Sequence, residues 1–265
     1  MIKIKSRFAR SIYLKVGVLM LAVSTLCAGF INTSEATIYG DLVTGYQWIK
    51  KGSGGYGIYV PKSFDPNKEA ILIFSFGRTE DDRELSREEI GAYTKIWTDE
   101  AEKRGAVVVC PYWQPVVISG HQNGEEYYLE ILDEVTGMYD INPKNILLVG
   151  FGFGGVQAYS MGALYPERFH SITTIASSPL RDRIMKSVLS MRQWQKFRGH
   201  LLLVQGENDG TVPLTWVEED KARLTQDGTQ VELKLISNMV HEHDPKVNPI
   251  ILDWFDGLKD KGSLP

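Results

Sequence analysis

The chain has 265 residues, 43% of them hydrophobic and 23% charged, with 29 basic residues against 33 acidic ones. This is ordinary globular composition with apolar material for a sizeable core, which excludes disorder of the whole chain. The acidic balance, without a basic stripe, argues against nucleic acid and anionic membrane surfaces as partners.

Residues 1–36 read as a leader rather than as part of a fold. Lys3, Lys5, Arg7, Arg10 and Lys15 form a basic start, and an apolar stretch over 16–30 follows, broken only by Ser24 and Thr25. Ser34-Glu35-Ala36 then places small residues at the −3 and −1 positions of a cleavage site. This is the layout of a secretory signal peptide. A membrane anchor needs about 20 uninterrupted apolar residues, more than this stretch supplies. A lipoprotein site at Cys27 is disfavoured by Leu26, where a small residue is usual. The expectation is an exported protein, periplasmic or secreted, with no membrane span after cleavage. One domain then covers 37–265, with a net charge of −8 and Cys110 as its only cysteine. The run Val107-Val108-Val109 before Cys110 reads as a strand, so the thiol is expected to be a buried packing residue.

Two antiparallel strands are expected at 47–51 and 55–61, turning through Gly52-Ser53-Gly54-Gly55. From there short apolar runs alternate with helical periods. The runs are 70–74, 106–110, 145–149, 171–176, 200–205 and 231–236. The helices expected between and after them are 85–104, 125–138, 154–165, 180–195, 215–226 and 249–258. Ile71-Leu72-Ile73-Phe74 and Ile146-Leu147-Leu148-Val149 are apolar without alternation, as strands covered on both faces are. The pattern predicts an α/β fold: a doubly wound, mostly parallel sheet with an antiparallel N-terminal hairpin and helices on both faces. Ligands of such folds sit beyond the carboxyl ends of the strands.

Gly150-Phe151-Gly152-Phe153-Gly154-Gly155 follows the third parallel run and admits two readings. The spacing 150, 152, 155 fits a dinucleotide fingerprint literally. That motif belongs to the first strand of a βαβ unit, with an acidic residue about 20 positions on, and the stretch 169–174 has none. The other reading is a nucleophile elbow, G-x-S-x-G, with Gly152 in the serine slot. Asp209 follows the run 200–205, and His241 follows 231–236. Elbow, Asp and His, each after its own strand, stand in the order of an α/β-hydrolase triad.

The stretches Tyr59-Val60-Pro61-Lys62-Ser63-Phe64-Asp65-Pro66 and Ile141-Asn142-Pro143-Lys144-Asn145, with the pair Gly154-Gly155, carry a family resemblance. Nearly the whole mature chain resembles the secreted esterase branch of the α/β-hydrolase superfamily. That branch includes polyhydroxyalkanoate depolymerases, feruloyl esterases and dienelactone hydrolase-like proteins. The resemblance implies the α/β-hydrolase fold, Asp209 as triad acid, His241 as triad base, and a small or polymeric ester-like ligand. It implies no cofactor. The oxyanion hole would draw on the main chain at Phe153 and at Gly77-Arg78. The sequence departs from the family twice: Gly152 replaces the nucleophile, and Phe76-Gly77 stands where His-Gly is usual.

Without a side-chain oxygen at 152 the covalent route is absent. Losing the nucleophile of such a triad costs about 10⁶-fold in turnover. Two hypotheses stay open: a degenerate hydrolase reduced to binding, and an ester hydrolase that uses a His241-activated water or an unrecognised nucleophile. Ser75, Ser160, Ser177 and Ser178 are the serines near the expected site. His241-Glu242-His243-Asp244 has a chelating spacing, but His121, His170 and His200 stand alone, so no metal site is expected. The acidic run Glu80-Asp81-Asp82 reads as a solvated loop. The segments 113–122 and 180–195 are expected to set specificity without carrying a readable motif.

Overall fold

The computed structural model describes residues 37–39, 42–52, 54–77, 85–112, 124–180, 197 and 199–260. The leader, Arg78, the acidic run, the segment 113–122 and nearly all of the helix expected at 180–195 lie outside them. The chain divides into two units at Gly45. In the first, β1 (Thr37–Tyr39) pairs antiparallel with the start of β2 (Leu42–Lys51), joining Thr37 to Thr44 and Tyr39 to Leu42. No apolar run or turn signal in the sequence marks β1.

In the second unit β2 continues beside β3 (Gly54–Val60), two residues away in sequence, as the expected hairpin. β3 pairs antiparallel with β5 (Val107–Pro111). β5 then runs parallel to β4 (Leu72–Phe76), which runs parallel to β6 (Ile146–Phe151). Beyond β6 lie β7 (Ser171–Ile175), β8 (His200–Gly206) and β9 (Gln230–Ile236), all parallel. The spatial order is β2-β3-β5-β4-β6-β7-β8-β9.

Every residue of β4, β5, β6, β7 and β8 is buried, as the apolar runs at 71–74 and 146–149 predict for β4 and β6. β9 is the edge strand, and its residues are largely exposed or half-buried. Side chains alternate between the two faces. Leu72, Phe74 and Leu148 join one core with residues of α3 (Gly124–Tyr139), α4 (Phe153–Leu164) and α5 (Leu214–Gln226). Ile73, Leu147 and Val149 join the other, with Trp97, Ala101 from α2 (Thr98–Arg104), and Ile251 and Phe255 from α6 (Val247–Asp260). Helices on both faces are the doubly wound arrangement.

Two expectations are corrected. The helix expected over 85–104 is two: α1 (Arg87–Lys95), opened by a Ser86–Glu89 capping box, and then α2. The break at Ile96-Trp97 buries Trp97 completely, and its indole N–H donates to Ser75 Oγ at 3.2 Å. The hairpin turn is also shorter than the four glycine-rich residues suggest, since Gly54 and Gly55 already belong to β3.

Candidate functional site

Four strands, β4, β6, β8 and β9, deliver the site to one end of the sheet, beyond their carboxyl ends. β6 ends at Phe151, and α4 begins at Phe153. Between them Gly152 has φ 55° and ψ −119°, a conformation that strains any residue with a Cβ. Its N–H donates to Ile175 O at 2.9 Å, and its carbonyl accepts from Gly155 N–H at 3.0 Å. The reversal from strand to helix is too tight for side chains on its inner side. A Cβ on Gly150 would lie 1.9 Å from Gly154 O, and one on Gly154 would lie 2.3 Å from Phe76 O. The end of β4 therefore abuts the first turn of α4. This brings Gly77 and Phe153, two of the residues expected around an oxyanion, to the same corner.

Asp209 follows β8 in a turn that its own carboxylate organises. Oδ1 accepts from the N–H groups of Thr211 and Val212, each at 2.8 Å. Oδ2 accepts from Gln205 Nε2 at 3.1 Å and lies 2.9 Å from His241 Nδ1. Burial alone would raise the carboxyl pKa, but the hydrogen bonds from Val212, His241, Thr211 and Gln205 outweigh it and hold the group below its ordinary value. An ionised carboxylate only accepts, so Nδ1 of His241 carries the proton. In the neutral tautomer with the proton on Nδ1, Nε2 is the acceptor.

The loops after β8 and β9 are stitched together to hold this pair. Asn208 N–H donates to Met239 O at 3.1 Å, and Glu207 N–H to Ile236 O at 3.1 Å. A Cβ on Gly206 would lie 2.2 Å from Met239 O, so glycine permits the close approach. The ring of His241 lies tilted over Phe151, with centroids 5.0 Å apart, which sets it beside the elbow. Its side chain is 12% exposed, and among the described residues Nε2 is buried without a partner. That atom is where a triad serine would donate its proton.

The neighbouring His243 has a separate task. Its Nε2 donates to Asn248 Oδ1 at 2.8 Å, and Asn248 Nδ2 donates to Ile96 O at 2.8 Å. Burial pushes the His243 pKa down to about 4, against the opposing influence of Asn248 and Asp244, so the ring stays neutral. This strut ties the His241 loop to the break between α1 and α2. Among the described residues no group of three or more His, Cys, Asp or Glu side chains is placed to hold a metal ion.

The nearby serines are accounted for differently. Ser75 accepts from Trp97, and Ser178 donates to Asp220 Oδ2 at 2.6 Å. Ser160 is buried within α4. Ser177 is 3% exposed, and its Oγ is buried without a partner, 2.6 Å from where a Cβ on Gly155 would lie. Gln205, Phe151 and the His243–Asn248 strut are site residues that the sequence reading did not single out. Gln205 had a signal: it is an amide at the end of the apolar run Leu201-Leu202-Leu203-Val204. Cys110 is fully buried and its pKa is driven up to about 12 by that burial, as its strand context predicts.

No protein-family model matches the sequence, and no curated protein matches it. Solved structures do. One is a Bacteroides ovatus protein classed provisionally as a dipeptidyl aminopeptidase IV, with TM-score 0.59 and 14% identity. The match covers 80% of this chain but 35% of that one. A thermostable esterase matches with TM-score 0.57 and 14% identity over 80% of this chain and 62% of its own. An S-formylglutathione hydrolase from Agrobacterium tumefaciens matches with TM-score 0.60 and 15% identity, covering 84% of this chain and 98% of its own. The chain thus spans about a third of the first and under two thirds of the second, but nearly all of the third. Sheet order, strand-to-helix elbow and these neighbours agree: the chain has the α/β-hydrolase fold.

Proposed function

We propose that this is an exported protein of the carboxylic-ester hydrolase class in which acid and base persist and the nucleophile is lost, so that its role is to bind an ester-like ligand. The observation that carries the reading is the pair Asp209–His241, joined at 2.9 Å, beside an elbow whose central residue is glycine. Histidine in this arrangement serves to take a proton from a hydroxyl, and a carboxylate serves to fix its tautomer. Gly152 supplies no hydroxyl. Fold alone does not assign activity, so the argument rests on these residues. Export rests on the leader pattern of residues 1–36.

A second reading is favoured by the same ring. The buried lone pair of His241 Nε2 is suited to hold a water where the serine oxygen would be and to activate it against an ester. One preparation tests both. Protein expressed with its leader is expected to begin at Thr37, to resist labelling by a fluorophosphonate, and to hydrolyse p-nitrophenyl acetate no faster than buffer. Stoichiometric labelling of a serine overturns the loss of nucleophilic chemistry. Turnover without labelling selects the water route. A retained leader overturns export.

A further inference from the structure

We propose that the free edge of β9 pairs with β9 of a second copy of this chain, antiparallel and two-fold, with Leu233 opposite Leu233. This goes beyond the reading of the site and does not depend on it. β9 ends the sheet: among the described residues β8 is its one neighbour, and every residue of β9 is exposed or half-buried. The hydrogen bonds to β8 show which main-chain groups that neighbour takes. Gln230 N–H donates to Gly199 O at 3.2 Å, and Ile236 O accepts from Glu207 N–H at 3.1 Å. Successive residues of a strand direct these groups to alternate sides, so Gln230, Glu232, Lys234 and Ile236 face β8. The N–H and C=O groups of Val231, Leu233 and Leu235 point outward, and an open row of this kind is a template for another strand.

The side chains select which strand. Glu232 and Lys234 stand two places apart on one face, and Val231 and Leu235 flank them. In a two-fold pairing centred on Leu233, Glu232 of each copy lies opposite Lys234 of the other, and Val231 opposite Leu235. Val231, Leu233 and Leu235 then exchange their outward hydrogen bonds with the copy. The charged residues fall at the pairs without hydrogen bonds, where Cα atoms are about 4.5 Å apart and side chains are closest. Opposite charges directly across a ladder stabilise it, and like charges destabilise it. Moving the centre by one residue sets Glu232 against Glu232, or Lys234 against Lys234. The charges therefore favour one register.

Both charges are available. Lys234 is exposed and has no carboxylate partner among the described residues. Glu232 Oε1 accepts from Trp254 Nε1 at 3.0 Å, which holds the carboxylate on α6 and leaves Oε2 open. A second observation is apolar. Leu235 is 39% exposed, and pairing covers it with Val231 of the copy. Edges that must stay alone are kept short, bulged or interrupted by proline, or guarded by lysine. β9 has seven residues, no proline and an unbroken register with β8. Its lysine is matched by Glu232 of a second copy.

The test is sedimentation equilibrium of the purified protein across a concentration series, with each variant first shown to be folded by circular dichroism. The unaltered protein is expected to dimerise. Lys234→Glu sets two glutamates against each other on both sides of the two-fold and should weaken the dimer by about tenfold or more. Adding Glu232→Lys restores opposite charges in reversed order and should return the dissociation constant to within about threefold. Cross-linking reads the register separately. Glu232→Cys and Lys234→Cys proteins, mixed and oxidised, should form a disulfide between the two variants that neither forms alone; Cys110 is buried and takes no part. A monomer throughout the series, a dimer indifferent to Lys234→Glu, failure of the second reversal to restore it, or disulfides within one variant as readily as across the mixture overturns the inference.

Discussion

At Gly152 the backbone angles would cost a residue with a Cβ about 1–3 kcal/mol, which glycine avoids. Under the proposed function the same residue leaves the neighbouring histidine without a hydroxyl to deprotonate. Asp209, with all its acceptor sites engaged, holds that histidine, and His243, clamped by Asn248, anchors the same loop. Both supports are sensitive to acid, in different windows. His243 has a folded pKa of about 4 against an ordinary 6.5, so the unfolded chain takes up a proton first as pH falls. Its contribution is complete above about pH 6.5, is lost between there and about pH 4, and reaches at most about 3 kcal/mol. Asp209 is depressed instead, so its contribution holds above its unfolded value of about 3.9 and is lost below that. Urea unfolding across pH 7 to 4.5 should show falling stability in the unaltered protein. His243→Gln keeps a donor for Asn248 and should flatten that slope. An equally steep slope in the variant would remove His243 as its origin.

The elements that build the site depend on close backbone approach, and glycine is decisive at only some positions. Gly150→Ala sets a methyl 1.9 Å from the backbone oxygen of Gly154 and forces β6 from α4. It is expected to cost more than about 3 kcal/mol, as severe overpacking does, or to abolish folding. Gly137 lies within α3 with nothing near its Cβ position, so Gly137→Ala should instead add about 0.5–1 kcal/mol through helix propensity. Chemical denaturation of the two variants checks the pair, and a tolerated Gly150→Ala contradicts the tight elbow. At this scale the sequence was legible wherever local pattern rules. Buried strands read as apolar runs and α4 as a helix carrying paired glycines, whereas the capping box at Ser86–Glu89 that opens α1 was not singled out. The break at Ile96-Trp97 was not legible, because what holds it is distant: Asn248 donates to Ile96 O, and Ser75 accepts from Trp97. Periodicity cannot register a hydrogen bond spanning 152 positions. The strand β1 escaped notice for a related reason, since its three residues are too few to show a pattern.

Across the whole molecule, parallel crossovers bring residues far apart in sequence to one end of the sheet. β6, β8 and β9 each end there, so Gly152, Asp209 and His241 converge although 57 and 32 positions separate them in turn. That convergence was readable because each residue follows its own strand, and strand order fixes where strand ends meet. The supporting shell was less readable. Gln205 and the His243–Asn248 strut work through contacts that only the assembled sheet creates, and only the misplaced polarity of Gln205 hinted at them. The central claim is that the assembled site lacks nothing but an oxygen. Gly152→Ser, checked to be folded, should convert the protein into an esterase toward p-nitrophenyl acetate. It should also be less stable by about 1–3 kcal/mol, from strain at the elbow. Adding His241→Ala should abolish the activity, because the serine then has no base. A folded Gly152→Ser protein that hydrolyses the ester no faster than buffer would contradict the claim, and would show that the loss extends beyond one residue to the oxyanion corner at Phe76 and Gly77.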